Sequence, residues 1–286
     1  MSASFLILTI NVPVDGGEFT IPLQNINVTD IDWGDENTNQ YNSPETDKYT
    51  HLYLNSSADK QIYTITVNVS TTEGSTNGSL KQDLNIVANG WINPQYLTSV
   101  TQWYQAINHI VDFTGAFKGC SSLTSVPDSL PSSGQLQNLD SMFYGATIFD
   151  SPNIIPWNTG NITNMNAMFH GATLFNQPIG NWNLSNVTNT SNMFYGATSF
   201  NQPIGNWNLR QVLNATDMFS GATSFNNGDV NDGIGSINNL QLPDNIKIDT
   251  LVQGAPKFNF GVPTFDNILL QTDIVGNPET LVINGN

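Results

Sequence analysis

Hydrophobic residues follow two different rhythms along this chain. Over the first 70 positions apolar and polar residues alternate in short runs, at 5–12, 18–23, 28–33, 49–54 and 62–69, separated by clusters of Gly, Asp, Asn and Ser. A side-chain period of two, broken by turn residues, predicts strands and an all-β unit. Beyond about position 100 the alternation gives way to a long repeat. Met142, Met168, Met193 and Met218 recur at a nearly constant interval of about 25 residues, the period range of stacked repeat units. Each is followed by Phe, as Phe143, Phe169, Phe194 and Phe219.

With Met as position zero, further columns fall into place. Position −6 holds Leu136, Ile162, Val187 and Val212, and position −3 holds Leu139, Met165, Thr190 and Ala215. Gly145, Gly171, Gly196 and Gly221 stand at +3, Ala146, Ala172, Ala197 and Ala222 at +4, and Phe149, Phe175, Phe200 and Phe225 at +7. Trp157, Trp182 and Trp207 stand at −11 in the later three copies, and segments 175–184 and 200–209 are identical. A degenerate copy keeps the frame with Ile110, Phe113, Ala116, Phe117, Gly119, Cys120 and Leu123, and a later one does so at 251–258.

Apolar residues recurring every three to four positions predict a short helix in each copy, ended by the glycine at +3, where a left-handed backbone costs no side-chain clash. The stretch from Phe at +7 to the next Ile has a strand's length. Pro178 and Pro203 stand inside it, so that strand must be very short or begin after the proline. One copy cannot close its own apolar face. Stacking copies would bury Phe on Phe and Trp on Trp, making the columns themselves the core. Asn138, Asn164, Asn189 and Asn214 recur at −4, either as an amide ladder or as a solvated row.

These residues carry a resemblance. The run 192–208, Asn-Met-Phe-Tyr-Gly-Ala-Thr-Ser-Phe-Asn-Gln-Pro-Ile-Gly-Asn-Trp-Asn, resembles the repeat of BspA-like surface proteins, relatives of the leucine-rich repeats. Thr190 and Ala215 depart from that pattern, which has a second Met at −3. In the first part of the chain, 32–35 (Asp-Trp-Gly-Asp), 50–53 (Thr-His-Leu-Tyr) and 63–67 (Tyr-Thr-Ile-Thr-Val) resemble a PKD-like module, with Glu36 where that family usually has Gly. The two resemblances imply a mainly β, immunoglobulin/PKD-like sandwich followed by an α/β solenoid of leucine-rich-repeat type. The expected divisions are a sandwich over 1–79, a linker and N-terminal cap over 80–105, the solenoid over 106–230, and a degenerate repeat and cap over 231–286. The BspA-like resemblance also implies display on a microbial surface or by a virus, and adhesion.

Composition narrows the chemistry. Charged residues make up only 10% of the chain, so Asn, Thr, Ser and Gln must supply most of the solvent face. Seven basic residues against 23 acidic ones give a net charge of −16 and leave no basic cluster to neutralise a phosphate backbone, so nucleic acid is not an expected partner. No apolar run reaches the length of a bilayer-spanning helix, and membrane insertion is not expected. The segment 1–12 lacks a basic stretch and does not read as a signal peptide, which points to another route outward, such as a virus particle. Cys120 is the sole cysteine and sits in the alanine column, as a small core residue would.

No catalytic grouping stands out, and the protein is expected not to be an enzyme. His170 falls in a variable column, His51 in the sandwich motif, and His109 has no partner at metal-ligand spacing. Asp30, Asp32, Asp35 and Glu36 are the single calcium candidate, the alternative being a turn with solvated carboxylates. No other cofactor is expected. The reading that follows is a non-catalytic recognition or adhesion protein with a protein or glycan ligand. Its contact residues would lie in the variable columns: Tyr144, His170, Tyr195 and Ser220 at +2, and Ile148, Leu174, Ser199 and Ser224 at +6. The alternatives are a structural or decoration component of a virus or phage particle, contacting other virion proteins, and a carbohydrate-active enzyme.

Overall fold

The computed structural model describes residues 2–24, 28–36, 38–40, 49–54, 61–70, 78–80, 92–103, 110–131, 136–227, 268–272 and 278–283. Its strands are β1 (Ser2–Val12), β2 (Gly17–Ile21), β3 (Leu23–Gln24), β4 (Val28–Asp32), β5 (Thr38–Gln40), β6 (Tyr49–Tyr53), β7 (Gln61–Ser70), β8 (Gly78–Leu80), β9 (Leu97–Trp103), β10 (Ile110–Asp112), β11 (Ile268–Thr272) and β12 (Pro278–Ile283). Antiparallel pairing arranges five of them in the order β5-β4-β7-β1-β9. The strands β2 and β6 form a separate antiparallel pair, as do β11 and β12. Alternation places Leu6, Leu8, Ile10 and Val12 of β1 in the interior, where Ile65 and Val67 of β7 join them.

The strand β9 lies in the stretch expected to be linker and cap, and it has two neighbours. One edge pairs with β1 of the five-stranded sheet. The other meets the first repeat copy, where Val100 N–H donates to Ser125 O (2.9 Å) and Thr124 N–H donates to Thr98 O (2.9 Å). A second connection runs through β10, which pairs in parallel with β8, itself antiparallel to β3. Asp112 at the end of β10 then bridges Asn138 of the next copy. The sheets of the first region thus supply starting edges for two rows of the repeat. The buried core is correspondingly one cluster, continuous from Leu6 to Phe225.

The repeat region corrects the expected fold class. An α/β solenoid is not what forms: among the described residues there is no α-helix, and successive copies share single-residue parallel bridges at Asp112, Asn138, Asn164, Asn189 and Asn214 rather than a sheet. The helix reading fails because each copy has, besides the expected left-handed glycine, a second left-handed residue inside the helix span. The glycine at +3 has φ of 68–76° in the five copies, and so, less visibly, is position −1 left-handed: Gly115 (60°), Ser141 (54°), Ala167 (51°), Asn192 (55°) and Asp217 (55°). A right-handed helix cannot pass through either point.

Alternate N–H groups then point in different directions. In the copy around Met168, Met165, Ala167, Phe169 and Gly171 donate to carbonyls of the next copy, Asn189, Ser191, Met193 and Tyr195 respectively, at 2.7–2.9 Å. Met168, His170 and Ala172 close local turns onto Met165, Ala167 and Phe169 at 3.0–3.3 Å. Asn166 N–H is taken by Asn164 Oδ1 at 3.0 Å. Every backbone donor from −3 to +4 therefore has a partner without a helix. That bond defines the Asn column at −4: Asn138, Asn189 and Asn214 each accept from the N–H two residues on in the same way.

The expected strand after Phe at +7 is also absent. Pro178 and Pro203 are exposed there, and side-chain amides hold the segment in place of a backbone ladder. Asn176 N–H donates to Asp150 Oδ1 (2.8 Å), Asn201 N–H to Asn176 Oδ1 (2.9 Å) and Asn226 N–H to Asn201 Oδ1 (2.7 Å). Gln177 and Gln202 add bonds to the carbonyls of Asp150 and Asn176 at 2.9 Å. The sequence Phe-Asn-Gln-Pro is thereby explained: the amides bond where proline has no N–H to give.

Candidate functional site

The interior columns define what is left for the surface. Met142, Met168, Met193 and Met218 are fully buried, as are Phe143, Phe169 and Phe194, with Phe219 at 1% exposure. The Phe rings at +1 follow one another at 5.4–5.8 Å, and each of Phe143, Phe169, Phe194 and Phe219 stacks on the +7 ring of its own copy at 3.9–4.1 Å. Trp157, Trp182 and Trp207 are buried with their indole N–H groups bonded to the carbonyls of Pro127, Ile154 and Ile179 at 3.0–3.1 Å. Cys120 is buried in the small-residue column, and burial pushes its thiol pKa well up. All these side chains are occupied with packing.

The +2 column is different. It leaves the core between the buried Phe at +1 and the left-handed glycine at +3, and its side chains stand over one another at the surface. The Tyr144 and His170 rings stack at 4.2 Å and 8°, and the His170 and Tyr195 rings at 4.6 Å and 6°. Backbone bonds set the register: Gly145 N–H donates to His170 O and Gly171 N–H to Tyr195 O, both at 2.7 Å. Tyr144, His170 and Ser220 are half-buried, whereas Tyr195 is exposed at 40%.

Lys118 belongs to this column and was missed in the sequence. Its Nζ lies 4.0 Å from the centroid of the Tyr144 ring. Carrying the +2 position back into the degenerate first copy, with Ala116 as zero, finds it directly. Partial burial lowers the Lys118 pKa, with Asp140 opposing the shift. Burial also lowers the His170 pKa; its backbone bond opposes this and the Lys118 charge adds to it. The shift favours the neutral imidazole of His170 at pH 7.

The +6 column borders the same turn. Ile148 and Leu174 are exposed at 42% and 52%, while Ser199 and Ser224 are half-buried. The backbone N–H groups of Leu174, Ser199 and Ser224 donate to Thr147, Thr173 and Thr198 of the preceding copy at 3.1–3.2 Å, fixing these side chains in a row.

The four acidic residues of the first region do not converge. Asp30 accepts from Asn68 Nδ2 (2.6 Å) and Thr29 Oγ1 (3.0 Å), and Asp32 accepts from Gly34 N–H (2.9 Å). Asp35 pairs with His51 Nε2 at 2.7 Å, and Glu36 takes a left-handed φ of 70° in the turn. His51 lies flat on Trp33 at 5.0 Å and edge-on to Tyr53 at 4.6 Å, while the Tyr53 hydroxyl donates to Trp33 O at 2.9 Å. Burial, followed by the Asp35 charge, raises the Tyr53 pKa and keeps that donor protonated. The group ties the 33–36 turn to β6. Among the described residues no group of three or more His, Cys, Asp or Glu side chains is placed to hold a metal ion. His109 and the 251–258 copy lie outside the described residues.

Among the described residues, no helix is long and apolar enough to cross a membrane. No curated protein and no solved structure matches the chain. Residues 100–232, which take in the end of β9 from Val100 on and every described copy of the repeat, are similar to the family described as a Mycoplasma protein of unknown function, DUF285.

Proposed function

We propose that this is a non-catalytic recognition protein, displayed on an extracellular surface or particle, that grips a protein or glycan partner with the +2 and +6 columns of its repeat. The observation that carries this reading is the surface stack of Tyr144, His170 and Tyr195, held parallel at 4.2 and 4.6 Å by contacts within the chain itself. Rings already fixed by the backbone and by one another lose little rotamer freedom on binding. Tyrosine offers an apolar body and a polar tip, the combination that dominates binding hot spots. Exposed Ile148 and Leu174 add apolar area in the bordering column. The resemblance of the repeat to BspA-like surface proteins supports the same role, and the net charge of −16 argues for a partner other than nucleic acid.

A panel of immobilised extracellular proteins and glycans, probed with the full chain and with the double variants Y144A/Y195A and I148S/L174S, tests this reading. For any probe that binds, either double variant should lose at least about tenfold in affinity, two hot-spot contacts contributing over about 1 kcal/mol each. Unchanged thermal unfolding would show that the fold survives. Binding that persists unchanged in both variants would remove these columns from the contact surface.

A further inference from the structure

The ring column is asymmetric, and its two ends say what it takes. At one end the outer face of Tyr144 is covered by the Lys118 ammonium group at 4.0 Å. Inside the column each ring covers the next. At the other end the position after Tyr195 is Ser220, whose side chain is too short to cover a phenol ring. Gly196 N–H donates to Ser220 O at 2.7 Å, so the two residues are in register, and among the described residues no ring covers the Tyr195 face on the serine side. Among the described residues Tyr195 makes one ring contact, with His170, and at 40% it is the exposed member of the ring stack.

We infer that the open face of Tyr195 receives a single cationic side chain, an arginine by preference, from a basic segment of a partner protein. The molecule has already solved the same problem at the far end of the column, where a cation covers a terminal tyrosine face. The face of a phenol ring is the negative pole of its quadrupole, and a guanidinium is flat enough to cover it while keeping its edge N–H groups free. Asp217 is the acidic residue of the turn that Ser220 closes, where Ser220 N–H donates to Asp217 O at 3.1 Å. The whole chain, at −16, draws cations toward its surface. His170 does not oppose the approach, because burial and Lys118 both favour its neutral form.

This inference rests on the recognition reading above and deepens it, and the test separates the two. The probe is a short Gly/Ser peptide with one central arginine, paired with the same peptide carrying citrulline, a neutral isostere. Both are titrated at near-physiological salt against the full chain with ¹³C-labelled tyrosine rings. The arginine peptide should shift the Tyr195 ring signals more than those of Tyr144. The citrulline peptide should bind about two- to fivefold more weakly, the span of an exposed cation–π contact. Y195L should lower the affinity for the arginine peptide, while S220Y, which extends the column by one ring and covers the open face, should diminish the Tyr195 shift on a fold that keeps its stacking. Equal binding of the two peptides, with loss in Y195L, would overturn the cation assignment and leave recognition through this column standing. An undiminished Tyr195 shift in S220Y, or an arginine peptide that leaves the Tyr195 signals of the native chain unmoved, would overturn the inference outright.

Discussion

The two halves of this molecule satisfy the same requirement, that every buried backbone donor find an acceptor, in opposite ways. In the first region long strands pair side by side, and bulges between Ser4 and Leu6 or near Val28 are tolerated because the rest of each ladder holds the register. In the repeat region neighbouring copies share one β-bridge per row, and the remaining bonds pass through turns whose left-handed residues must fall at −1 and +3. A sheet is specified by which face is apolar. The coil stack is specified by which backbone positions can turn left. Surface function follows the same division. The aromatic cluster of the first region, Trp33, His51 and Tyr53, is folded inward around a turn, whereas the +2 column is held outward as a row.

The comparison is sharpest at buried rings. Phe169 is fully buried between Phe143 and Phe194 and stacks on Phe175, so Phe169→Ala should destabilise the protein by about 3–5 kcal/mol in urea unfolding. Because β9 belongs both to the five-stranded sheet and to the first coil contact, the loss should appear in a single transition shared by both regions. Two separate transitions, with only the later one shifted, would break the claim that the halves are coupled.

Glycine separates the regions next. Gly34 has φ of 79°, and a Cβ there would lie 2.5 Å from Thr64 O, a backbone atom that cannot step aside. Gly171 has φ of 68°, but a Cβ would meet Gly145 no closer than 3.8 Å. Gly171→Ala should therefore cost only the left-handed strain, about 1–2 kcal/mol, and Gly34→Ala clearly more. Equal losses in thermal or urea unfolding would show that space does not distinguish the two turns. Ala167 already holds a left-handed φ of 51° in the stack, which supports the smaller cost there.

A smaller effect is expected from the turn amides. Asn189 Oδ1 accepts from Ser191 N–H at 3.1 Å and from Ser191 Oγ at 2.7 Å. Asn189→Ala should cost about 1 kcal/mol, and Asn189→Asp, which keeps the acceptor, should recover most of it when the variants are compared by urea unfolding. Aspartate already serves in this way at Asp112, which accepts from Thr114 N–H at 2.8 Å.

The smallest effect concerns pH. His170 has a folded pKa lowered by burial, with Lys118 adding to the shift. The unfolded state then binds the proton more readily, so the stability this residue contributes is complete above its unfolded pKa of about 6.5 and declines as pH falls through the folded value. Melting temperature should drop slightly more between pH 7 and pH 5 in the native protein than in His170→Tyr. An identical slope in the two would remove His170 from the acid response.

How much of this was legible depended on what each residue type encodes. The period, the buried columns and the +2 row could be read directly, because identical side chains at fixed spacing have one economical arrangement, each above its copy. Gly145, Gly171, Gly196 and Gly221 signalled a left-handed turn, and they adopt one. The helix expected before them does not form, because −6, −3, 0 and +1 is also the spacing of consecutive turns that face one core. The deciding positions, Ser141, Ala167, Asn192 and Asp217, share no residue type that betrays a positive φ. Lys118 stayed hidden because its copy has lost the Met that marks the frame.

Sequence alone therefore determined the repeat, its inward columns, the scarcity of charge and the row of variable residues at +2. Tertiary structure alone decided that the coils are built of turns, that β9 joins two regions, and that Lys118 covers one end of a ring column while Ser220, in the last described copy, adds no ring at the other. The reason is physical. Side-chain periodicity reports which residues share a face, but the direction of each backbone N–H is settled only when the neighbouring copy arrives to accept it.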